Sequence, residues 1–248
     1  MEPIALDQPE TPEPSRTLKV SETFVSLQGE GMLTGMPSWF VRLSGCNLRC
    51  RWCDTPYASW DPEGDQHTVG SLIDEARASG VRHAVVTGGE PMIFGGIDAL
   101  CAGLHDAGMH VTIETAGTVS RWVTCDLMSL SPKLANSTPK GDPRDPTGAW
   151  ATRHEERRVD LAPLQELVET YPEHQLKFVV TAASDLAEIC GVLDAIGPVV
   201  KERVFLMPEG VETPDPVSIA WVLDVCRERG FRYGHRLHIE LFGDTRGT

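Results

Sequence analysis

The sequence predicts an α/β fold built on parallel strands, and two observations carry that expectation. Short apolar, β-rich runs recur along the chain, and helical patterns bounded by capping and stop residues separate them. Strands joined through helical crossovers run parallel and bury both faces, as an open doubly wound sheet or as a full or partial barrel.

In chain order, residues 1–16 carry Pro3, Pro9, Pro12 and Pro14 interleaved with Glu2, Asp7, Glu10 and Glu13. That composition is too polar to bury a core, so a disordered acidic tail is expected ahead of a single domain over residues 17–248. Runs at 39–43, 83–87, 110–114, 127–131, 176–180 and 204–207 read as strands, and 237–241 as a seventh. Thr68 as N-cap and Gly80 as stop frame a helix over 69–78; helices over 97–107 and 217–229 stop at Gly108 and Gly230, and 161–171 and 186–196 complete the set. Residues 136–158, with Pro139, Gly141, Pro143, Pro146 and Gly148, read as a mobile loop or lid, or as a surface insertion.

Composition narrows the function. The chain has 248 residues, 41% of them hydrophobic, enough for one sizeable core. A formal charge of −14 repels phosphate backbones and anionic headgroups, so a small-molecule substrate is expected, with neither nucleic acid nor membrane as partner. No stretch approaches the roughly 20 apolar residues of a membrane span and no signal peptide opens the chain, so a cytoplasmic setting is expected. Seven cysteines, an odd number, argue for a metal site rather than a disulfide framework.

Cys46, Cys50 and Cys53 stand at CxxxCxxC spacing directly after the run at 39–43. Thiolates are soft ligands that select iron–sulfur clusters, zinc or copper(I). Three ligands leave one metal position open, as in catalytic metal sites where substrate binds. A structural zinc site completed by a remote His67 or Cys101 is the alternative, although the chain holds no second short ligand motif. Cys101, Cys125, Cys190 and Cys226 fall in apolar periodic runs and read as core residues.

Further along, Thr87-Gly88-Gly89-Glu90-Pro91 ends another predicted strand. By itself such a Gly-Gly-Glu run reads as an ordinary strand-to-helix turn. The cysteine loop followed by this turn resembles the radical S-adenosylmethionine (SAM) superfamily. The resemblance implies a partial (β/α)6 barrel, a [4Fe-4S] cluster on the three cysteines, and SAM chelating the fourth iron through its amine and carboxylate. Reduction of SAM there releases a 5′-deoxyadenosyl radical.

More narrowly, Leu27-Gln28-Gly29-Glu30-Gly31, Phe40-Val41-Arg42, Cys46-Asn47-Leu48, Trp52-Cys53-Asp54-Thr55, Glu114-Thr115, Ser131-Pro132-Lys133 and Leu237-His238-Ile239 are similar to the 7-carboxy-7-deazaguanine synthase family. That resemblance implies a carbon–nitrogen lyase of queuosine biosynthesis, which turns 6-carboxy-5,6,7,8-tetrahydropterin into 7-carboxy-7-deazaguanine with loss of ammonia. It further implies Mg2+ as cofactor, a homodimer and a flavodoxin-like reductant.

Carried over residue by residue, Leu27, Gln28, Gly29, Glu30, Arg42 and Thr87 face the substrate, with Arg42 on its carboxylate, and Thr248 reaches it from the C-terminus. Thr55 is the Mg2+ ligand. Gly89, Glu90, Glu114, Ser131, Pro132 and Lys133 hold SAM, as do Leu206, Met207, Pro208 and Glu209. The last four depart from a Gln-Pro-Met-Asp stretch of some members, and the chain ends in Thr248 rather than proline. A radical SAM activase of a glycyl-radical enzyme shares the CxxxCxxC loop and is the rival at this level.

Overall fold

The computed structural model describes residues 15–248, so the tail expected at 1–16 lies outside the described residues except for its last two positions. Arg16 is already held by the fold, because its carbonyl accepts a hydrogen bond of 2.8 Å from Val69 N.

The strands are β1 Thr17–Leu27, β2 Pro37–Leu43, β3 Asp65–Thr68, β4 His83–Gly88, β5 His110–Thr115, β6 Leu127–Leu130, β7 His174–Val180, β8 Val204–Pro208 and β9 Arg232–Tyr233. The helices are α1 Pro56–Ser59, α2 Val69–Ala78, α3 Ile97–Asp106, α4 Ala149–Val159, α5 Ala162–Thr170, α6 Asp185–Ile196, α7 Ala220–Arg229 and α8 Leu237–Phe242. One sheet contains all the strands, in the order β3-β1-β2-β4-β5-β6-β7-β8-β9. From β2 to β9 every pairing is parallel, while β1 runs antiparallel to both β2 and β3. The six strands β2, β4, β5, β6, β7 and β8 form the partial barrel, left open and extended by short edge strands.

Parallel strands covered on both sides are apolar throughout, and here β6 is buried along its whole length and β7 at all but one position. Trp39, Phe178 and Phe205 are the bulkiest fully buried side chains of this core. Cys101 and Cys226 are buried core residues, while Cys125 and Cys190 are half-buried. Thr68 caps α2 as expected, its side chain accepting from Ser71 N at 3.1 Å.

Several elements differ from the sequence expectation. The run 237–241 forms helix α8, not a strand: Leu237, Ile239 and Leu241 alternate as a strand would, but only Ile239 is buried and Leu241 is 51% exposed. Strand β1 carries a register shift between Val20 and Glu22, and this bulge breaks the alternation that would announce it in sequence. The helix expected over 217–229 starts only at Ala220, with Val217 left 82% exposed. Residues 136–158 are not a mobile loop: they include most of α4, whose His154 is fully buried against the cysteine loop.

At the opposite end of the strands, His83 is buried between Ser38 Oγ, 2.5 Å from Nδ1, and Thr112 Oγ1, 2.8 Å from Nε2. Burial, with the nearby His110, lowers its pKa from 6.5 to about 4. The unfolded chain therefore takes up this proton first, so the stability contributed by neutral His83 is present above pH 6.5 and is lost as the pH falls toward 4. The melting temperature is expected to drop through that window, and less steeply in His83→Gln, as thermal denaturation across pH will show.

Candidate active site

The C-terminal ends of the parallel strands open on a cavity of about 600 Å3, the end at which α/β proteins bind ligands. Leu27, Gln28, Gly29 and Glu30, just after β1, form one wall, and Arg42 and Thr87 project from the ends of β2 and β4. Cys46, Cys50, Cys53 and Thr55 come from the loop after β2. Gly89, Glu114, Ser131, Lys133, Met207, Pro208 and Glu209 line the cavity from the strands that follow, and Thr248 closes it from the C-terminus.

Three expected residues do not reach the cavity. Leu206 is fully buried in the core and Pro132 is buried behind Ser131. Glu90 is also fully buried, and its carboxylate accepts from Thr115 Oγ1 at 2.6 Å, Ala116 N at 2.8 Å and Met92 N at 3.1 Å. Burial raises its pKa, which those donors oppose only in part. Glu90 thus joins the end of β4 to the end of β5 instead of presenting its carboxylate to a ligand.

The two glycines before it have a role the sequence did not reveal. Gly88 adopts φ +147, and a Cβ on Gly89 would stand 2.2 Å from the carbonyl oxygen of Gly45 and 2.6 Å from that of Ala58. Gly89 N donates to Leu43 O at 3.0 Å and Glu90 N to Gly45 O at 2.9 Å. The turn is therefore threaded against the root of the cysteine loop, where no side chain fits.

The cysteine loop is clamped from outside. His154 Nδ1 accepts from Arg49 N at 3.1 Å, so its proton sits on Nε2, 2.8 Å from Ser137 Oγ. Burial lowers the His154 pKa to about 4, which keeps the ring neutral and Nδ1 able to accept. The Arg49 guanidinium donates to the carbonyls of Cys46 and Leu48, each at 2.8 Å, and lies 4.0 Å over the Trp150 ring. Arg51 N donates to Ser137 O at 2.8 Å and Trp60 Nε1 to Cys50 O at 3.0 Å.

All three thiols are free. Burial, reinforced by the charge of Glu90, pushes Cys46 up to about 12, and burial raises Cys50 as well, so loading metal here must displace protons. Cys46 Sγ accepts from Leu48 N at 3.3 Å, and Cys53 Sγ lies 3.1 Å from Ser59 Oγ. Among the described residues no three His, Cys, Asp or Glu side chains converge on a single ion. A cubane differs in engaging each thiolate at a separate iron, and three soft donors on one cavity wall fit that group.

Charge organises the opposite wall. Lys177 Nζ donates to Glu114 Oε2 at 2.6 Å and to Glu30 Oε2 at 2.9 Å, with the lysine only 2% exposed. Arg236 carries the chain onward to Glu30 Oε1 at 3.2 Å and Asp54 Oδ2 at 2.6 Å, and Gln28 Nε2 donates to Glu114 Oε1 at 3.3 Å. Burial opposes ionisation of Glu30, but Lys177 and Arg236 outweigh it and hold that carboxyl well below the usual range. At Glu114 burial prevails and the pKa is raised. Lys177 is held protonated, because the two carboxylates outweigh its own burial.

Arg42 lines the cavity, yet its Nε donates to Glu22 Oε1 at 2.6 Å, so the partner it holds here is a side chain of β1. The C-terminal segment joins this corner through Arg246, which pairs with Glu22 at 3.3 Å and Glu63 at 3.0 Å and lies 4.1 Å over the Tyr57 ring. Lys177, Arg236, Tyr57 and Arg246 were not singled out from the sequence, and His238 entered only within the Leu237-His238-Ile239 segment, with no role of its own. Lys177 had a signal: a lone lysine inside a strand that must bury both faces.

Residues 40–141 match the family described as the Radical SAM superfamily. A 7-carboxy-7-deazaguanine synthase of Rhodopirellula baltica is 47% identical over 96% of this chain and 93% of its own length, and one of Halobacterium salinarum is 43% identical over 93% of both. The crystal structure of QueE from Escherichia coli superposes with a TM-score of 0.62 over 90% of this chain and 95% of its own, at 23% identity, and so shares the fold. The parallel barrel ends and the three-cysteine loop are those of a radical SAM protein. Within that superfamily, the chain belongs to the 7-carboxy-7-deazaguanine synthase family.

Gly89→Ala is expected to abolish cluster assembly while sparing the fold, because the added methyl meets backbone of the cysteine loop and not a movable side chain. Iron content and visible absorbance after anaerobic reconstitution, beside circular dichroism, check this.

Proposed function

We propose that this cavity is the active site of a radical SAM lyase that converts 6-carboxy-5,6,7,8-tetrahydropterin into 7-carboxy-7-deazaguanine, releasing ammonia, in queuosine biosynthesis. The supporting observation is that three free thiols and a set of polar groups able to grip a pterin open on one cavity. A [4Fe-4S] cluster held by Cys46, Cys50 and Cys53, with SAM bound beside it, would supply the radical chemistry this conversion needs.

The chain's own residues bind, orient and exclude water. Cys46, Cys50 and Cys53 hold the cluster. Gly89, Ser131, Lys133 and the Met207–Glu209 wall receive SAM, and Glu90 keeps the strand ends at the spacing this requires. Gln28 and Glu30 address the pterin ring. Glu114, expected from the resemblance to hold SAM, is read with them because it accepts from Gln28 and shares Lys177 with Glu30. Arg42, whose planar fork suits carboxylates, addresses the acid group beside Glu22. Thr55 offers a hard hydroxyl oxygen to Mg2+, which keeps waters and borrows ligands from substrate. Thr87 and Thr248 complete the substrate wall.

Among the described residues no helix is long and apolar enough to cross a membrane. A cytoplasmic homodimer drawing electrons from a flavodoxin-like protein completes the reading.

The test is an anaerobic assay of reconstituted protein with SAM, dithionite, Mg2+ and the tetrahydropterin, following the product by mass. Wild type is expected to form 7-carboxy-7-deazaguanine and Cys50→Ala none. Cleavage of SAM without a deazaguanine would sink the substrate assignment alone.

A further inference from the structure

Among the described residues, Lys177 is the more deeply buried of two cations that each touch two carboxylates of the cavity wall: it lies 2.6 Å from Glu114 and 2.9 Å from Glu30, while Arg236 pairs with Glu30 and Asp54. Lys177 stands on β7, Glu114 on β5 and Glu30 in the loop after β1, so the ammonium joins three separate elements. We propose that Lys177 is a positioning residue that locks Glu30 and Glu114 as a pair of ionised carboxylates aimed at the N–H edge of the substrate's aminopyrimidinone ring.

The inference rests on the pterin reading above. That ring carries adjacent donors, a ring N–H and an exocyclic amine, and the two oxygens of one carboxylate accept both in parallel. A protonated carboxyl presents a donor in place of an acceptor, which mismatches that edge. Two carboxylates buried side by side do not both stay ionised without a shared cation, because each disfavours the charge of the other. Glu114 is the vulnerable member: burial already raises its pKa, the charge of Glu30 raises it further, and Lys177 is the cation that opposes both. Glu30 has a second cation in Arg236 and stays charged without Lys177. The other titratable groups facing the pair are His238 on α8 and, through Arg236, Asp54 of the cysteine loop.

Lys177 cannot act as a proton donor while both carboxylates hold it protonated. Its role runs through Glu114 and Glu30, which separates it from a catalytic residue. The arrangement is also a poor stabilising device in itself, since burying such groups offsets much of their attraction.

The experiment compares wild type, Lys177→Met and Lys177→Arg in the dithionite-driven assay, with iron content, SAM binding and melting temperature measured on the same samples. Lys177→Met is expected to raise KM for the tetrahydropterin on the order of 10- to 100-fold with SAM binding and iron content unchanged. Its KM is expected to fall as the pH is raised from neutral to mildly alkaline and Glu114 loses its proton, a recovery absent from wild type. Lys177→Arg should restore most of the affinity. Should Lys177→Met fail to fold, Lys177→Met/Glu114→Gln, which removes one charge of each sign, takes its place and is expected to keep the raised KM without the pH recovery. An unchanged KM in a folded variant lacking Lys177 overturns the proposal. So does a loss that is independent of pH and tracks iron content and melting temperature. Absence of turnover in wild type would instead refute the pterin reading.

Discussion

The close seating of the Gly88-Gly89 turn against the root of the cysteine loop is the constraint on which the site depends. Parallel pairing of β2 with β4, in register from Trp39 with Ala84 to Leu43 with Gly88, brings the two strand ends side by side. The loop that follows β2 and the turn that follows β4 then share one space, and only a residue without Cβ fits between Gly45 and Ala58. Glu90 extends the same junction to β5 through Thr115 and Ala116. Three consecutive strand ends thus become one rigid rim, which is what a site needs when small displacements of ligands are costly.

Around this rim the protein uses polar groups in two ways. On the cysteine side, a neutral His154, stacked arginine and indole groups, and backbone hydrogen bonds to Ser137 fasten the loop from outside while leaving its thiols toward the cavity. On the substrate side, Glu114, Lys177, Glu30, Arg236 and Asp54 alternate in sign, so that each buried charge has an opposite neighbour. A chain of this kind adds little net stability but fixes orientation, since losing Lys177 leaves Glu114 buried without its cation. Arg236 ties this chain to the segment carrying α8 and the C-terminus, which cover the cavity.

Much of this was legible in sequence. The parallel α/β class followed from alternating apolar runs and capped helices, and the six barrel strands fell near their expected positions. The CxxxCxxC loop and the Gly-Gly-Glu turn lay where the sequence put them, but the turn's close contact is with backbone of the cysteine loop, and Glu90 faces inward. Strand β1 was hidden by its bulge, and α4 by the glycines and prolines that precede it. Helix α8 was misread because three alternating apolar residues fit either period when no flanking signal decides.

By itself the sequence determined the strand and helix periodicities, the soft-ligand chemistry of the three cysteines and the small residues at the turn, because each is written in residues adjacent along the chain. Only the tertiary structure decided that Lys177 would meet Glu30 and Glu114, that Arg236 would bridge to Asp54, and that His154 would hold the loop at Arg49. Those groups stand far apart in the chain, and sheet order and register brought them together. Whether 237–241 became strand or helix was likewise settled in three dimensions: Leu237 N bonds to Gly29 O, and the segment turns over the cavity as α8.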